Sequence, residues 1–243
     1  MDNTPAPPEP APPEPAQLPE RKRGSGVKMV YDLLRDDILD LVLPPGSPID
    51  EVQLAERFAI SRTPIREALA RLAIEGLIDT LPNRSSMVAQ IDFVNLHTFF
   101  DAITLMYRVT TRLAAQNWRA GDLEVIRAHQ ADYVVAFAAH DALAMIRTNR
   151  DFHAAIAEAG RNPYYLSLFL RLLDEGRRIL RLYYQSFDDR PPASVIAEHE
   201  AMIDAIAARD VARADVLAKA HADQIVGQIR QLMTRDQRQD IAL

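Results

Sequence analysis

The 243-residue chain contains no cysteine. This absence excludes a disulfide scaffold, a thiol nucleophile and thiolate-ligated zinc, and it fits a reducing compartment such as the cytoplasm. The sequence also lacks any run near the roughly 18 apolar residues that a membrane span needs. Residues 1–20 carry neither Lys nor Arg and no apolar stretch, so they do not resemble a secretory signal. We therefore expect a cytoplasmic protein with no membrane partner.

Positive charge is scarce as well. The 28 Lys and Arg residues against 34 Asp and Glu residues give a net charge of −6, so the whole chain is not a simple basic nucleic-acid binder. Half of the 16 prolines and four acidic residues lie in residues 1–20. Such a composition predicts a disordered Pro/Ala/Glu-rich tail over residues 1–25. We also expect a mobile tail at residues 236–243.

Residues 26–91 show the element order of a winged helix. Apolar residues at steps of three and four predict a helix over 27–43, which Leu43-Pro44-Pro45-Gly46 ends. A helix–turn–helix follows, with Asp50 as the N-cap of its first helix and Ser61 as the N-cap of its second. Two short strands are predicted at 77–81 and 86–90.

Residues 92–235 have long apolar-periodic stretches and almost no strand pattern. Helices are predicted near 94–118, 122–138, 141–159, 163–187, 193–208 and 210–234. Short joints between them favour an antiparallel bundle that can enclose a cavity. The predicted fold class is mainly α, with an N-terminal winged helix-turn-helix and a C-terminal antiparallel six- to seven-helix bundle.

The second helix of the helix–turn–helix carries a local basic stripe. Residues 57–71 contain four arginines and one acidic residue, Glu67. Arginine suits both the phosphate backbone and the guanine edge, and the start of this helix usually points into the major groove. A solvated arginine face on an ordinary helical protein is the alternative.

A longer pattern in the same region decides between these readings. It runs Leu54-Ala55-Glu56, Ser61-Arg62-Thr63-Pro64-Ile65-Arg66-Glu67-Ala68-Leu69, Leu72 and Glu75-Gly76-Leu77-Ile78. It resembles the winged-helix domain of the GntR family of bacterial transcription regulators. The resemblance implies that Arg62, Thr63, Pro64 and Arg66 contact double-stranded DNA.

Each of these residues has an expected role. We expect Arg62 and Arg66 to read guanines while Ser61 and Thr63 hold phosphates. Arg84, at the hairpin tip, would reach a phosphate or the minor groove. The tip lacks the glycines that are frequent in the family.

The helical half resembles the all-helical, FCD-type ligand-binding domain of the FadR-like branch of this family. The residues that carry this resemblance are Asn149, Asp151-Phe152-His153, Asn162-Pro163, His199-Glu200, Ala205-Ile206, Asp210 and His221. Asn149 and His153 are four apart and share one helical face, and His199 and His221 fall on two later helices. Three imidazoles and one oxygen ligand suit zinc, nickel or a similar divalent ion.

Two departures from the family bear on this site. The position of Asn149 is often acidic in the family, so the predicted metal site has one negative charge fewer. Ile103 and Tyr107 stand where many members carry an arginine and a glutamate. Tyr107, Arg108 and Arg178 are the candidate effector contacts, although helix pairing or core packing would also explain them. The resemblance implies a small organic acid as effector.

The resulting hypothesis is a ligand-responsive, sequence-specific regulator, by default a repressor, that binds a short inverted-repeat operator as a homodimer. No catalytic residue is predicted. One alternative is a metal hydrolase or oxygenase built on Asn149, His153, His199 and His221, but no general base is spaced as a known catalytic motif. The other alternative is a DNA-architectural protein, which would not need so large a bundle.

Overall fold

The computed structural model describes residues 25–81 and 85–236, with side chains from residues 26–81 and 85–231. The hairpin-tip prediction for Arg84 therefore lies outside the described residues. The predicted tails also lie outside them, except for Ser25 and Asp236, which are the end residues of two helices.

The N-terminal part is a winged helix, which we call the reading head. Its elements are α1 (Ser25–Leu39), β1 (Pro48–Ile49), α2 (Glu51–Phe58), α3 (Arg62–Ile74), β2 (Ile78–Thr80) and β3 (Ser86–Val88). The strands form an antiparallel sheet in the order β1-β3-β2. Leu34 and Ile38 of α1 share a buried core with Ile65 and Leu72 of α3, so α3 is anchored on the first helix.

Two local details of the head differ from the sequence predictions, and a third confirms one. Helix α1 ends at Leu39, four residues before its predicted end, because Leu41 adopts a positive φ of 58° and reverses the chain. Strand β1 was not predicted, since two residues beginning with Pro48 give no alternating pattern. The Asp50 N-cap is confirmed, because its carboxylate accepts from the backbone N–H of Val52 (2.7 Å) and Gln53 (3.4 Å).

The C-terminal part is the predicted antiparallel helical bundle. Its helices are α4 (Leu96–Asn117), α5 (Asp122–Ala138), α6 (Ala142–Ala159), α7 (Pro163–Gln185), α8 (Ser194–Ala207) and α9 (Val211–Asp236). All six lie within three residues of their predicted ends. None of the helices in the described part of the chain combines the length and apolar character of a bilayer span.

Ion pairs join the reading head to the bundle. Arg177 of α7 donates to Asp36 (3.2 Å) and Asp40 (2.7 Å) at the end of α1. Asp40 also pairs with Arg147 of α6 at 3.4 Å, and Arg35 of α1 pairs with Asp174 of α7. Because Arg177 and Asp40 are 4% and 7% exposed, water screens their attraction weakly. These contacts place α6, α7 and α1 in one connected unit.

Candidate DNA-reading surface and histidine cluster

The start of α3 presents the predicted DNA contacts on the surface of the head. Ser61, Arg62, Thr63 and Arg66 are exposed and Pro64 is half-buried, whereas Ile65 is buried on the opposite face. Ser61 occupies the N-cap position with an extended backbone, but its side chain makes no capping hydrogen bond. Because Ser61 is exposed and its side chain does not cap α3, its hydroxyl and the uncapped first turn are available to a phosphate.

Carboxylates on neighbouring helices hold two of the arginines near this surface. The Arg66 Nε–H donates to Glu51 of α2 at 2.8 Å, and Arg57 pairs with Asp37 of α1 at 2.9 Å. The Arg66 side chain is 63% exposed, so its pair with Glu51 is a surface interaction of small net stability. A nucleic acid can therefore replace Glu51 as the hydrogen-bond acceptor of Arg66 at little cost in free energy.

The three predicted histidine ligands meet in the interior of the bundle. His153 comes from α6, His199 from α8 and His221 from α9, and each is 1% exposed or less. Their ring centroids lie 5.0–5.2 Å apart. One ring nitrogen from each lies within 4.8 Å of those of the other two. We call these three residues the histidine cluster.

Hydrogen bonds fix which nitrogen of two rings carries the proton. The His221 Nδ1 lies 2.7 Å from a carboxylate oxygen of Glu198, and because the carboxylate can only accept, Nδ1 is the donor. The His199 Nδ1 lies 2.8 Å from Oε1 of Gln130. Gln130 is oriented by its own Nε2–H, which donates to the carbonyl of Ile196 at 3.4 Å.

The Nε2 atoms of all three histidines are buried and have no hydrogen-bond partner among the described residues. Burial lowers the pKa of His153 well below its usual value, and repulsion from His221 lowers it further. Burial, with the fields of His221 and His153, does the same to the pKa of His199. These two rings are therefore neutral at physiological pH, which is the form that ligates metals.

Tyr107 and Asn149 close one side of the cluster. Tyr107 is 5% exposed and contacts His153 and His221 edge-on, with centroids 4.6 and 5.5 Å away. Asn149, one turn before His153 on α6, is also buried, and its side chain hydrogen-bonds the Tyr107 hydroxyl. Burial raises the pKa of Tyr107, so its phenol stays protonated.

The two arginines named as effector contacts lie elsewhere. Arg108 forms a forked pair with Asp215 of α9, with distances of 2.8 and 2.9 Å, which matches the helix-pairing alternative. Arg178 lines a cavity between the head and the bundle that none of the three histidines lines. Of the three candidates, only Tyr107 contacts the histidine cluster.

Gln130 and Glu198, which orient two of the histidines, are not predicted from the sequence. Gln130 is 69 residues from its partner His199 and carries no motif. Glu198 directly precedes His199 but bonds His221, 23 residues later. Only the packing of α8 between α5 and α9 brings these partners together, so no sequence signal identifies them.

Comparison with known proteins gives the same two-part organisation. Residues 26–88 match the family described as bacterial regulatory proteins, gntR family, and residues 99–224 match the family described as FCD domain. The HTH-type transcriptional repressor RspR of Escherichia coli K12 is 24% identical over 206 residues, which cover 84% of this chain and 89% of that protein. The Nta operon transcriptional regulator of Aminobacter aminovorans is 28% identical over 194 residues, covering 78% and 90%.

A solved structure shares the fold. E. coli McbR/YncC superposes with a TM-score of 0.77 at 21% identity, covering 86% of this chain and 99% of that chain. The likeness therefore extends over both the reading head and the bundle.

Proposed function

Since this chain belongs to the GntR family of bacterial regulatory proteins and carries an FCD domain, we propose that its histidine cluster holds a divalent cation. We also propose that occupancy of this site in the bundle controls operator binding. The chain is a DNA-binding transcriptional regulator and not an enzyme. The observation that carries the proposal is the convergence of three buried imidazole nitrogens without hydrogen-bond partners.

The residues of the cluster fit a metal ion. A buried polar atom without a partner costs free energy, and three such ring nitrogens at one place add to that cost. A cation at this place would satisfy all three, and imidazole ligands favour zinc or nickel. Gln130 and Glu198 are the kind of outer partner that orients metal-binding histidines. Asn149 would supply a neutral oxygen, and the bound ion would supply positive charge that attracts an acidic effector.

The start of α3 is the proposed reading element. Arg62 and Arg66 would contact guanines in the major groove, and Ser61 and Thr63 would contact phosphates. Pro64 is in the first turn of α3, where a backbone N–H has no helical partner, so it costs no helical hydrogen bond and stiffens the backbone that carries these side chains. Their common exposure on one end of α3 supports this assignment.

We propose a homodimer that binds an inverted repeat in the cytoplasm and acts as a repressor. Exposed apolar side chains on the bundle support self-association. Leu105 of α4 is 56% exposed and Val216 of α9 is 67% exposed, and both flank the Arg108–Asp215 pair that joins these helices. Sedimentation velocity at micromolar concentration tests the dimer. A Leu105→Glu/Val216→Glu variant should sediment as a monomer, and unchanged sedimentation would exclude this face.

Elemental analysis tests the metal proposal. The full chain, loaded with zinc and desalted, should retain roughly equimolar zinc. His199→Ala should lose it, whereas His129→Ala, a half-buried histidine on α5, should retain it. Zinc and nickel contents near zero in the wild type, or equal retention by the two variants, would contradict the proposal.

A further inference from the structure

A cavity of about 930 Å³ lies between the reading head and the bundle. Its apolar walls include Tyr31 and Leu39 of α1, Phe99 of α4, and Leu166 and Ile179 of α7. The volume falls in the range of sites that bind small organic molecules. None of the histidines of the cluster lines it, so it is separate from the metal site proposed above.

Arg178 provides the unusual polar group of this cavity. It is 6% exposed, and one of its terminal nitrogens donates to the backbone oxygen of Ala89, in the segment between β3 and α4. Its Nε–H is buried without a hydrogen-bond partner among the described residues. Burial lowers the pKa of Arg178, and the fields of Glu175 and Asp79 offset this only in part. Among the described residues, no carboxylate lies within ion-pair distance of this buried guanidinium.

The neighbouring Arg177 shows how this fold neutralises a buried arginine that has a structural role. Arg177 is 4% exposed and pairs with both Asp36 and Asp40. Arg178, next in the chain and nearly as buried, is bonded among the described residues to a backbone carbonyl alone.

The acids around the cavity are largely engaged. Asp174 pairs with both Arg35 and Arg150, and Asp92 accepts from the backbone N–H groups of Val94 and Asn95. Glu175 is exposed to solvent, as is Arg171. Glu75, which also lines the cavity, is engaged by Tyr31 and Arg35. Arg178 is therefore the buried cation that an anion entering the cavity would meet.

We propose that this cavity binds a small organic carboxylate whose apolar body packs against Tyr31, Leu39 and Phe99 and whose carboxylate pairs with Arg178. The guanidinium fork matches a carboxylate in two parallel hydrogen bonds. One wall belongs to the head and the other to α7, so the occupant bridges the two parts and alters their relative placement. This second site requires no metal.

Calorimetric titration of the metal-stripped full chain tests the proposal. The probes are benzoate, phenylacetate and octanoate, each compared with its neutral amide. At least one carboxylate should bind, and its amide should bind about tenfold or more weakly, as expected for a lost charge-assisted hydrogen bond. Arg178→Gln should weaken the carboxylate by a similar factor, and Arg178→Lys should restore part of the binding. Arg171→Gln, at an exposed arginine of the same cavity, should change it little.

Several results would overturn the site. These are no binding of any of the three carboxylates, equal binding of acid and amide, or full binding by a folded Arg178→Gln variant. Binding lost in His199→Ala but intact in Arg178→Gln would move the carboxylate to the histidine cluster. If Arg178→Gln fails to fold by circular dichroism, the acid–amide comparison and Arg178→Lys decide the question. Zinc retention is measured in a separate experiment, so a protein that fails to retain zinc can still confirm or contradict carboxylate binding at Arg178.

Discussion

The reading surface and the histidine cluster use polar side chains in opposite ways. On the surface, Arg66 is 63% exposed and its partner Glu51 is one-third exposed, so water can replace either partner. In the cluster, His199 and His221 are fully buried, and their Nε2 atoms are closed to bulk solvent. The surface therefore tolerates exchange of partners, which DNA binding requires, whereas the cluster favours one specific occupant. The ion pairs of α1 with α6 and α7 connect the two.

Replacing a buried charge at this junction should produce the largest effect. Arg177→Met leaves Asp40, which is 7% exposed, with only the 3.4 Å contact to Arg147. We expect the free energy of unfolding to fall by about 3–5 kcal/mol, towards the lower end because Arg147 remains. Urea denaturation measures this. Arg66→Met, which breaks an exposed pair, should cost less than about 1 kcal/mol. Equal losses would contradict the contrast between buried and exposed pairs.

Acid should destabilise the metal-free protein through the cluster. The pKa values of His153 and His199 are lowered in the folded state, so below their ordinary value of 6.5 the unfolded state binds protons that the folded state does not. Stability should then fall as the pH falls, by up to about 2.7 kcal/mol per pH unit for two groups.

The matched control for this pH effect removes the two titrating rings. A His153→Gln/His199→Gln variant should show a shallower decline between pH 6.5 and 5.5 in urea denaturation with a chelator present. Parallel pH profiles for the wild type and the variant would show that the imidazoles do not carry the effect.

Loss of an orienting partner should weaken metal binding by a smaller amount. Gln130→Met removes the oxygen that lies 2.8 Å from the His199 Nδ1, and it leaves every proposed metal ligand unchanged in sequence. We expect zinc affinity to fall about 10–100-fold, measured by competition with a chromogenic chelator. Gln224→Met is the matched control, because Gln224 bonds Ser194 outside the cluster. If Gln130→Met leaves zinc affinity unchanged, the bond to Gln130 does not position the ring.

An effect of similar size is expected on the reading surface. Arg62→Ala should cost roughly 1–3 kcal/mol on the specific operator and relax base preference there. Binding to a randomised duplex library, followed by sequencing, measures both. Arg71→Ala, at the far end of α3, should leave the base preference intact. A loss by Arg62→Ala that is equal on all sequences would assign Arg62 to phosphate rather than to a base.

Periodicity and capping residues predicted most of the fold because they act locally. The apolar spacing gave all six bundle helices, and Asp50 marked the start of α2 through its own carboxylate. The early end of α1 was not predictable, since it depends on the positive φ of Leu41, a residue that seldom adopts it. Strand β1 exists only because Pro48 and Ile49 meet Met87 and Ser86 across the sheet.

The candidate site was predictable only where spacing within one helix or resemblance to the family supplied it. Asn149 and His153 are four residues apart on α6, and both are buried beside Tyr107. The partners Gln130 and Glu198 depend on contacts between helices that no local pattern encodes. The placement of Arg178 in the cavity between head and bundle likewise follows from packing and not from its position on α7.

An operator titration with and without zinc tests most directly whether the histidine cluster governs DNA binding. Fluorescence anisotropy on a duplex selected from the randomised library gives the affinity of chelated and zinc-loaded protein. We predict that zinc changes the affinity of the wild type by about 5–150-fold and leaves the affinity of His199→Ala unchanged. Equal affinity of the chelated and loaded wild type, or the same zinc effect in His199→Ala, would contradict the account.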